Sequence, residues 1–277
     1  MRKSPWRLIV DPAQSAALNM ATDEAISLAF SEGKAPETLR LYTWEKPSFS
    51  MGAFQTLEEN WIASLEAQKI DIVRRMTGGR GLLHEHELTY SVVASSKNPL
   101  FLGGIKGTFQ SIGRGLLAGL EEMGVAAMLH APARKPSPEE KKALCFDAVS
   151  WYEITAQGKK LIGSAQRRWK MHFLQQGSLI IKQSEWIKNQ SEAFPAKLIS
   201  ENQITLAELM ASPPNLETLI QAIKTGFEKT LDLSFEVGEL SDYERKLVQR
   251  CLQEKYARRA WNLYRDKKKE QENTDRP

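Results

Sequence analysis

Three groups of side chains in this sequence have the types and spacing to do chemistry. The first is Arg74-Arg75-Met76-Thr77-Gly78-Gly79-Arg80-Gly81-Leu82-Leu83-His84. Three arginines and three glycines within eight residues exceed what a tight hairpin needs, since two turn residues do that job. Glycines let backbone N–H groups come close to a ligand, and guanidinium groups bring fixed charge and forked donors. The stretch reads as a loop that wraps an oxygen-rich or acyl-bearing ligand; the plain alternative is a flexible loop with a solvated charge cluster. The second group is Cys145. It lies between a polar stretch containing Pro132, Pro136, Pro138 and Lys141-Lys142 and a strand-forming segment, where a reactive group is held by a scaffold yet can be reached. A free thiol is only slightly ionised at neutral pH, and a nearby cation favours the thiolate. The third is Lys159-Lys160, on the far strand of a hairpin that begins just after Cys145 and turns at Gln157-Gly158. Folding back at that turn can bring a lysine to the cysteine, although Lys159 reads better as part of a solvated turn.

Other arrangements argue against other chemistries. Gly103-Gly104-Ile105-Lys106-Gly107-Thr108 has the composition of a phosphate loop in the wrong order, and Gly79-Arg80-Gly81 lacks the third glycine of a dinucleotide fingerprint. His84-Glu85-His86-Glu87, read as a strand, puts both histidines on one face, but no second His or Cys cluster completes a metal site, so no metal is expected. Cys251 falls on an apolar helical stripe with Leu247, Val248 and Leu252 and reads as packing.

The elements that must position these groups follow from pattern. Strands are expected at Trp6–Val10, Leu39–Trp44, Phe49–Gln55, up to Val73, Glu87–Val93, Val125–Leu129, Trp151–Thr155, Lys160–Ala165 and Phe173–Ile181, the last interrupted by Gly177. Helices are expected at Ser15–Phe30 (with Asn19, Asp23 and Glu24 on its polar side), Trp61–Lys69 capped by Asn60, Thr108–Met123, Ile204–Met210, Leu216–Leu231 and from the capping box Ser241-Asp242-Tyr243-Glu244 to about Tyr256. Residues 99–107 read as a glycine-containing loop, and the stretch before Cys145 as mobile. Strands in the middle and helices at the ends give an α+β class: a mixed, largely antiparallel sheet flanked by helices. The expected organisation is a catalytic domain over 1–200, a helical extension over 201–265 and a disordered, charged tail over 266–277.

The 277 residues suffice for a sizeable core. A net charge of +4 is too weak to argue for nucleic acid and suits an acidic protein partner. No apolar run is long enough to span a membrane and the N-terminal residues lack a signal segment, so a cytoplasmic protein with no membrane partner is expected. Two unpaired cysteines agree with a reducing compartment.

The motifs also resemble a known family. Arg74 to His84 resembles the Arg-Arg-x-Ser/Thr-Gly-Gly-x-x-x-x-His loop of the lipoate-protein ligase, octanoyltransferase and biotin ligase superfamily. Gly158-Lys159-Lys160-Leu161-Ile162-Gly163-Ser164-Ala165-Gln166 resembles its second signature, and Cys145-Phe146-Asp147-Ala148 followed by Ser150-Trp151-Tyr152-Glu153 resembles the segment specific to LipM-type octanoyltransferases. The resemblance implies the biotin/lipoate ligase catalytic-domain fold. It implies transfer of octanoyl from octanoyl-acyl carrier protein, through a thioester on Cys145, to the lipoyl-domain lysine of the glycine cleavage H protein or another lipoyl domain; both carriers are acidic in this family. Carried over residue by residue, Cys145 and Lys160 are catalytic, with Lys160 near the thiol. Arg75, Thr77, Gly78, Gly79, Arg80, His84, Gly163, Ser164 and Ala165 are substrate-binding. Neither ATP nor metal is implied, and octanoate or lipoate would occupy the acyl site. Three rivals stand beside this. An ATP-dependent lipoate-protein ligase shares the fold and lysine but does not need Cys145. An amidotransferase moving octanoyl between lipoyl domains has a loop motif further from Arg74–His84. A non-catalytic acyl-binding module would leave Cys145 dispensable.

Overall fold

A computed structural model describes residues 5–130, 153–185 and 202–265. Cys145, the polar stretch before it and the tail over 266–277 lie outside the described residues. The first alternating segment forms β1 (Trp6–Val10), and Ser15 caps α1 (Ala16–Ser31) by accepting from the Leu18 N–H. β2 (Thr38–Tyr42) returns parallel to β1. β3 (Ser48–Met51), α2 (Glu59–Ala67), β4 (Asp71–Arg74) and β5 (Leu82–His84) follow, and β3 pairs with both β4 and β5 in a three-stranded sheet. β6 (Glu87–Ser95), α3 (Gly104–Glu122), β7 (Met128–His130), β8 (Glu153–Ala156), β9 (Lys159–Arg168) and β10 (His172–Ile180) complete the middle of the chain. The C-terminal part holds α4 (Leu206–Leu209), α5 (Leu216–Leu231), β11 (Phe235–Val237) and α6 (Asp242–Cys251).

The large sheet has the order β11-β1-β2-β6-β10-β9-β8-β7. β11, β1 and β2 run parallel and the remaining pairs are antiparallel, so the sheet is mixed and largely antiparallel as expected. Its tightest turn is Gln157-Gly158, where both residues have positive φ (50° and 76°), the signature of a two-residue hairpin turn. One face is covered by α3 and α5 over a core containing Leu116, Leu120, Ile162, Ile223 and Phe227. The other carries α1 and α6 over Ala21, Ala25, Leu174 and Trp261.

Several expected details differ, each for a packing reason. The glycines at 104 and 107 do not sit in a loop. After a short turn at Pro99–Phe101 the helix starts at Gly104, and a Cβ at Gly107 would lie 1.7 Å from the Leu102 carbonyl oxygen. Gly177 does not interrupt β10; it makes room for the Tyr90 ring, 2.5 Å from where its Cβ would be. Asn60 lies inside α2, whose cap is Glu58. His84 and His86 do not share a strand, because β5 ends at His84 and β6 begins at Glu87. The polar side of α1 is buried. Asp23 accepts from Arg40 (2.8 Å), Tyr42 (2.9 Å), Ser91 (2.7 Å) and Gln176 (2.6 Å), and Glu24 from Lys255 (2.8 Å) and Tyr256 (2.6 Å). Helical periodicity alone assigns such residues to solvent, whereas tertiary partners make their burial affordable.

α3 and α5 meet through glycines. A Cβ at Gly226 would fall 2.3 Å from the Gly119 nitrogen and 2.4 Å from the Gly115 oxygen, so neither backbone can yield without separating the helices. Gly226→Ala is expected to lower the unfolding free energy by about 2 kcal/mol, read from urea denaturation, even though alanine is the better helix former.

Candidate functional site

The Arg74–His84 loop is built around its own arginines. Arg74 is buried and donates to five main-chain oxygens: Gly52 (3.1 Å), Ala53 (3.3 Å), Gln55 (2.6 Å), Trp261 (3.1 Å) and Leu263 (2.9 Å). Arg75 donates to the Ser50 carbonyl (3.1 Å) and Oγ (3.0 Å), to Gly78 O (2.7 Å) and to Arg80 O (2.8 Å). The loop is thus wound round the Arg75 guanidinium, the geometry five forked donors favour. Its glycines serve close packing as well. Gly81 lies against the Phe49 ring, and a Cβ on the neighbouring Gly52 would be 1.9 Å from the Gly79 oxygen.

Between this loop and the large sheet lies a cleft of about 380 Å³, part of it open to solvent. Its floor is a cross-strand row: Tyr42 opposite Thr89, Thr89 opposite Ser178 and Ser178 opposite Gly163. Met20 of α1, Trp44, Ser50, Arg75 and His84 make walls, and Gly163, Ser164 and Ala165 form the β9 side. Many of these residues are polar, yet their polar atoms face one another. Glu87 Oε1 accepts from His84 Nδ1 (2.5 Å), Ser178 (2.6 Å) and Thr89 (2.7 Å). Thr89 Oγ1 in turn accepts from the Trp44 indole N–H (2.8 Å), and the Trp44 and His84 rings stack with centroids 3.8 Å apart. Ser50 Oγ lies 2.7 Å from His84 Nε2. Burial pushes the Glu87 carboxyl up, but the attraction of His84 and the hydrogen bonds from His84, Ser178 and Thr89 outweigh it and hold the group below its ordinary value. On the far side of β9, Ser164 meets the Tyr90 hydroxyl at 2.7 Å, and burial pushes that phenol up to about 12.

Lys160 reaches the same region through an irregular strand. Ile154 pairs with Ile162 but Thr155 with Lys160, so β9 carries one extra residue, Leu161. Leu161 and Ile162 both enter the core beneath α3 and α5. Lys160 is thereby turned to the opposite face, shared with Glu153, Thr155 and Gly163, where strict alternation would have denied it. There its ammonium is buried and ion-paired with the buried carboxylate of Glu153. The edge of β9 at Lys160 is closed by the extension, through Lys160 N to Asn202 O (2.7 Å) and Ile204 N to Lys160 O (2.9 Å).

The expected site residues therefore distribute as follows. Arg75, His84, Gly163, Ser164 and Ala165 line the cleft. Thr77 is buried behind it, its hydroxyl donating to Gln176, which does line it (2.8 Å). Gly78, Gly79 and Arg80 shape the loop around Arg75, with Gly79 at φ +85°. Lys160 is on the cleft face, and Cys145 is outside the described residues. Cys251 is buried among α6 contacts, and burial pushes its thiol up to about 12, as a packing role requires. Trp44, Ser50, Glu87, Thr89, Gln176 and Ser178 were missed. They stand in or beside strands as ordinary polar or aromatic residues, and only strand register brings them together. Glu153 had a signal, since it closes the cysteine segment.

Comparison with known proteins agrees with this architecture. The Lipoyl protein ligase A/B catalytic domain family matches residues 15–228. Among solved structures, a lipoate-protein ligase A described with bound ATP superposes with a TM-score of 0.76 at 23% identity, over 96% of this chain and 100% of that one. A bipartite lipoate protein ligase from Thermoplasma acidophilum, described with its E2 lipoyl domain, superposes at 0.73 and 20% identity over 95% and 98%. These define the class as the lipoate-protein ligase catalytic-domain fold. Relatives named Octanoyltransferase LipM match almost end to end: 36% identity in Brevibacillus brevis over 94% of this chain and 99% of the relative, and 34% in Bacillus subtilis over 96% and 100%. The chain belongs to the LipM octanoyltransferase family, and it is an acyltransferase.

Glu87 supplies a pH test of the site. A carboxylate held below its ordinary value stabilises the fold fully above that value, 4.5, and loses the contribution as pH falls through the lower folded-state value. Glu87→Gln is therefore expected to be less stable than the wild type at pH 7, with the gap narrowing below pH 4.5, in urea unfolding across a pH series.

Proposed function

We propose that this enzyme moves an octanoyl group from octanoyl-acyl carrier protein, through a thioester on Cys145, to the lipoyl-domain lysine of the glycine cleavage H protein. The observation that best supports the reading is the β9 irregularity, which turns the buried Lys160 onto the face of Gly163 and the cleft. Burying an ammonium is costly even with a partner, and a fold that needed only stability would do as well with an apolar residue there. A cation on that face suits a nearby thiolate.

The chemistry needs no ATP, because the acyl group arrives as a thioester. In the first half, the Cys145 thiolate attacks the donor carbonyl; a bond to Sγ forms, the carrier's thiolate leaves and takes up a proton. In the second, the neutral acceptor amine attacks the enzyme thioester; the C–N bond forms, the C–S bond breaks and the thiolate is restored. The amine's proton passes to the Lys160–Glu153 pair. Each oxyanion needs donors, for which backbone N–H groups of the Gly163–Ala165 segment or of Cys145 are the candidates. The cleft receives the hydrocarbon chain, whose burial contributes about 5 kcal/mol at roughly 0.8 kcal/mol per CH₂. Neither metal nor nucleotide takes part. The mild positive charge suits acidic carriers, and the E2 lipoyl domain described with the Thermoplasma protein illustrates the acceptor class in a fold relative. Among the described residues no helix is long and apolar enough to cross a membrane.

Intact mass spectrometry after mixing with octanoyl-acyl carrier protein, without ATP, tests this. An octanoyl adduct is expected on the wild type and none on Cys145→Ala. Lys160→Met should form it about 100-fold more slowly or worse, and Glu153→Gln should also be slowed. Absence of an adduct, with adenylate formed from lipoate and ATP, would point to a ligase instead.

A further inference from the structure

We propose that the turn end of β9 and β10 is where the octanoyl donor docks, and that Ser164, Gln166 and Arg168 form the track along which its phosphopantetheine arm reaches the cleft. This rests on the proposed transfer from a carrier thioester. Among the described residues β8 pairs with β9 only over Lys159–Ile162, so from Gly163 to Arg168 β9 has a partner strand on one side alone. Alternation puts Ser164, Gln166 and Arg168 on one face of that stretch. Ser164 lines the cleft. Gln166 donates through Nε2 to Gln175 (3.0 Å), while its Oε1 is buried with no hydrogen-bond partner among the described residues. A buried acceptor left open is costly, and an amide N–H of an incoming arm would answer it. Arg168 is a positioned cation. It lies over the Phe173 ring, donates to Thr108 Oγ1 (3.0 Å) and Ser96 O (3.3 Å), and keeps further donors of its fork for a phosphate.

Beyond Arg168 the surface changes character. The two bonds of Arg168 tie the end of β9 to the Ser96 segment and to the first turn of α3, and Ser96 N–H donates to Met171 O (2.9 Å). Met171, Leu102 and Ile105 therefore share this end of the sheet, and they are 48%, 66% and 54% exposed. Lys97 and Lys170 stand exposed beside them. Glu37, a neighbouring carboxylate, is turned away to the Ser95 N–H (3.1 Å) and the Asn98 amide (2.7 Å). Apolar side chains grouped at a surface and flanked by cations suit an acidic, amphipathic partner. Both carriers of the proposed reaction are acidic, and reach separates them. The five residue steps from Gly163 to Arg168 span about 17 Å of strand. An acceptor lysine extends about five bonds, roughly 6 Å, and cannot bridge that distance. A phosphopantetheine arm has about thirteen bonds between sulfur and phosphorus, roughly 16 Å when extended, so its phosphate meets Arg168 when its thioester is at Gly163. The acidic surface of the donor then rests on the turn.

The test compares kcat/KM for acyl-enzyme formation from octanoyl thioesters of acyl carrier protein, of phosphopantetheine alone and of N-acetylcysteamine, a stub that ends short of Arg168. The Lys97→Glu, Lys170→Glu double variant changes only exposed side chains. It should lower the carrier-protein value ~10-fold or more relative to both smaller donors, and should flatten the loss of carrier-protein activity that added salt causes in the wild type. Arg168→Gln should lower the values for both phosphate-bearing donors ~10-fold relative to N-acetylcysteamine. A ratio of carrier-protein to N-acetylcysteamine values within twofold of wild type in both variants overturns the inference while leaving octanoyl transfer intact. An unchanged ratio with slower transfer from the pre-loaded acyl-enzyme to the lipoyl domain assigns the surface to the acceptor and overturns it as well. If no acyl-enzyme forms from any thioester, the transfer reading fails, and calorimetric titration with octanoyl-acyl carrier protein decides the dock: binding weakened ~10-fold or more in the double lysine variant retains it, and equal binding removes it.

Discussion

A guanidinium group taken out of water must find oxygen acceptors, and two adjacent ones must find them in different directions. Arg74 and Arg75 meet this requirement almost entirely with main-chain carbonyls. Arg74 reaches from the end of β4 to Trp261 and Leu263 and ties the C-terminal turns to the loop after β3. Arg75 gathers Ser50, Gly78 and Arg80 and so gives the glycine-rich loop a shape that glycine alone would leave undetermined. Charge-assisted bonds of this kind are strong, and the orphaned carbonyls left by removing either arginine would be costly. The cleft wall, the loop and the docking of the chain's C-terminal part all depend on these two side chains.

The same economy of pairing shapes the cleft. Asp23 and Glu87 are buried carboxylates, each accepting several hydrogen bonds from different elements. Asp23 joins α1 to β2, β6 and β10, and Gln176 passes that connection on to Thr77 in the loop. Glu87 joins β6, β10 and the small sheet. An apolar slot can be made from polar residues when each polar atom is answered within the wall, and such a network is more rigid than a greasy pocket of the same size. Lys160 is the exception on this face. Its ammonium is ion-paired with Glu153, in a region where chemistry rather than shape is required.

The class of fold, most strands and helices, the capping box at Ser241, the Gln157-Gly158 turn and both signature loops were legible from pattern and local chemistry, because each depends on residues near in sequence. Local rules misplaced what distant residues decide. Asn19, Asp23 and Glu24 read only as the polar side of a helix until Arg40, Tyr42, Gln176 and Lys255 are brought to them. Gly177 read as a break until the Tyr90 ring is seen against it.

The sequence by itself determined which residues form the loop, the lysine segment and the cysteine segment, and through them the family, since motif identity needs no coordinates. Tertiary structure alone decided what the loop's arginines do and where Lys160 points. Donors of Arg74 and Arg75 that could have captured an anion are instead bonded to carbonyls as far as 189 positions away in the chain. Lys160 lies on the same face of the sheet as Gly163 because one unpaired residue in β9, Leu161, shifts the alternation of the strand. Neither a register shift nor a long-range acceptor leaves a mark in the spacing of side chains, for both are properties of how strands pair rather than of the strands themselves.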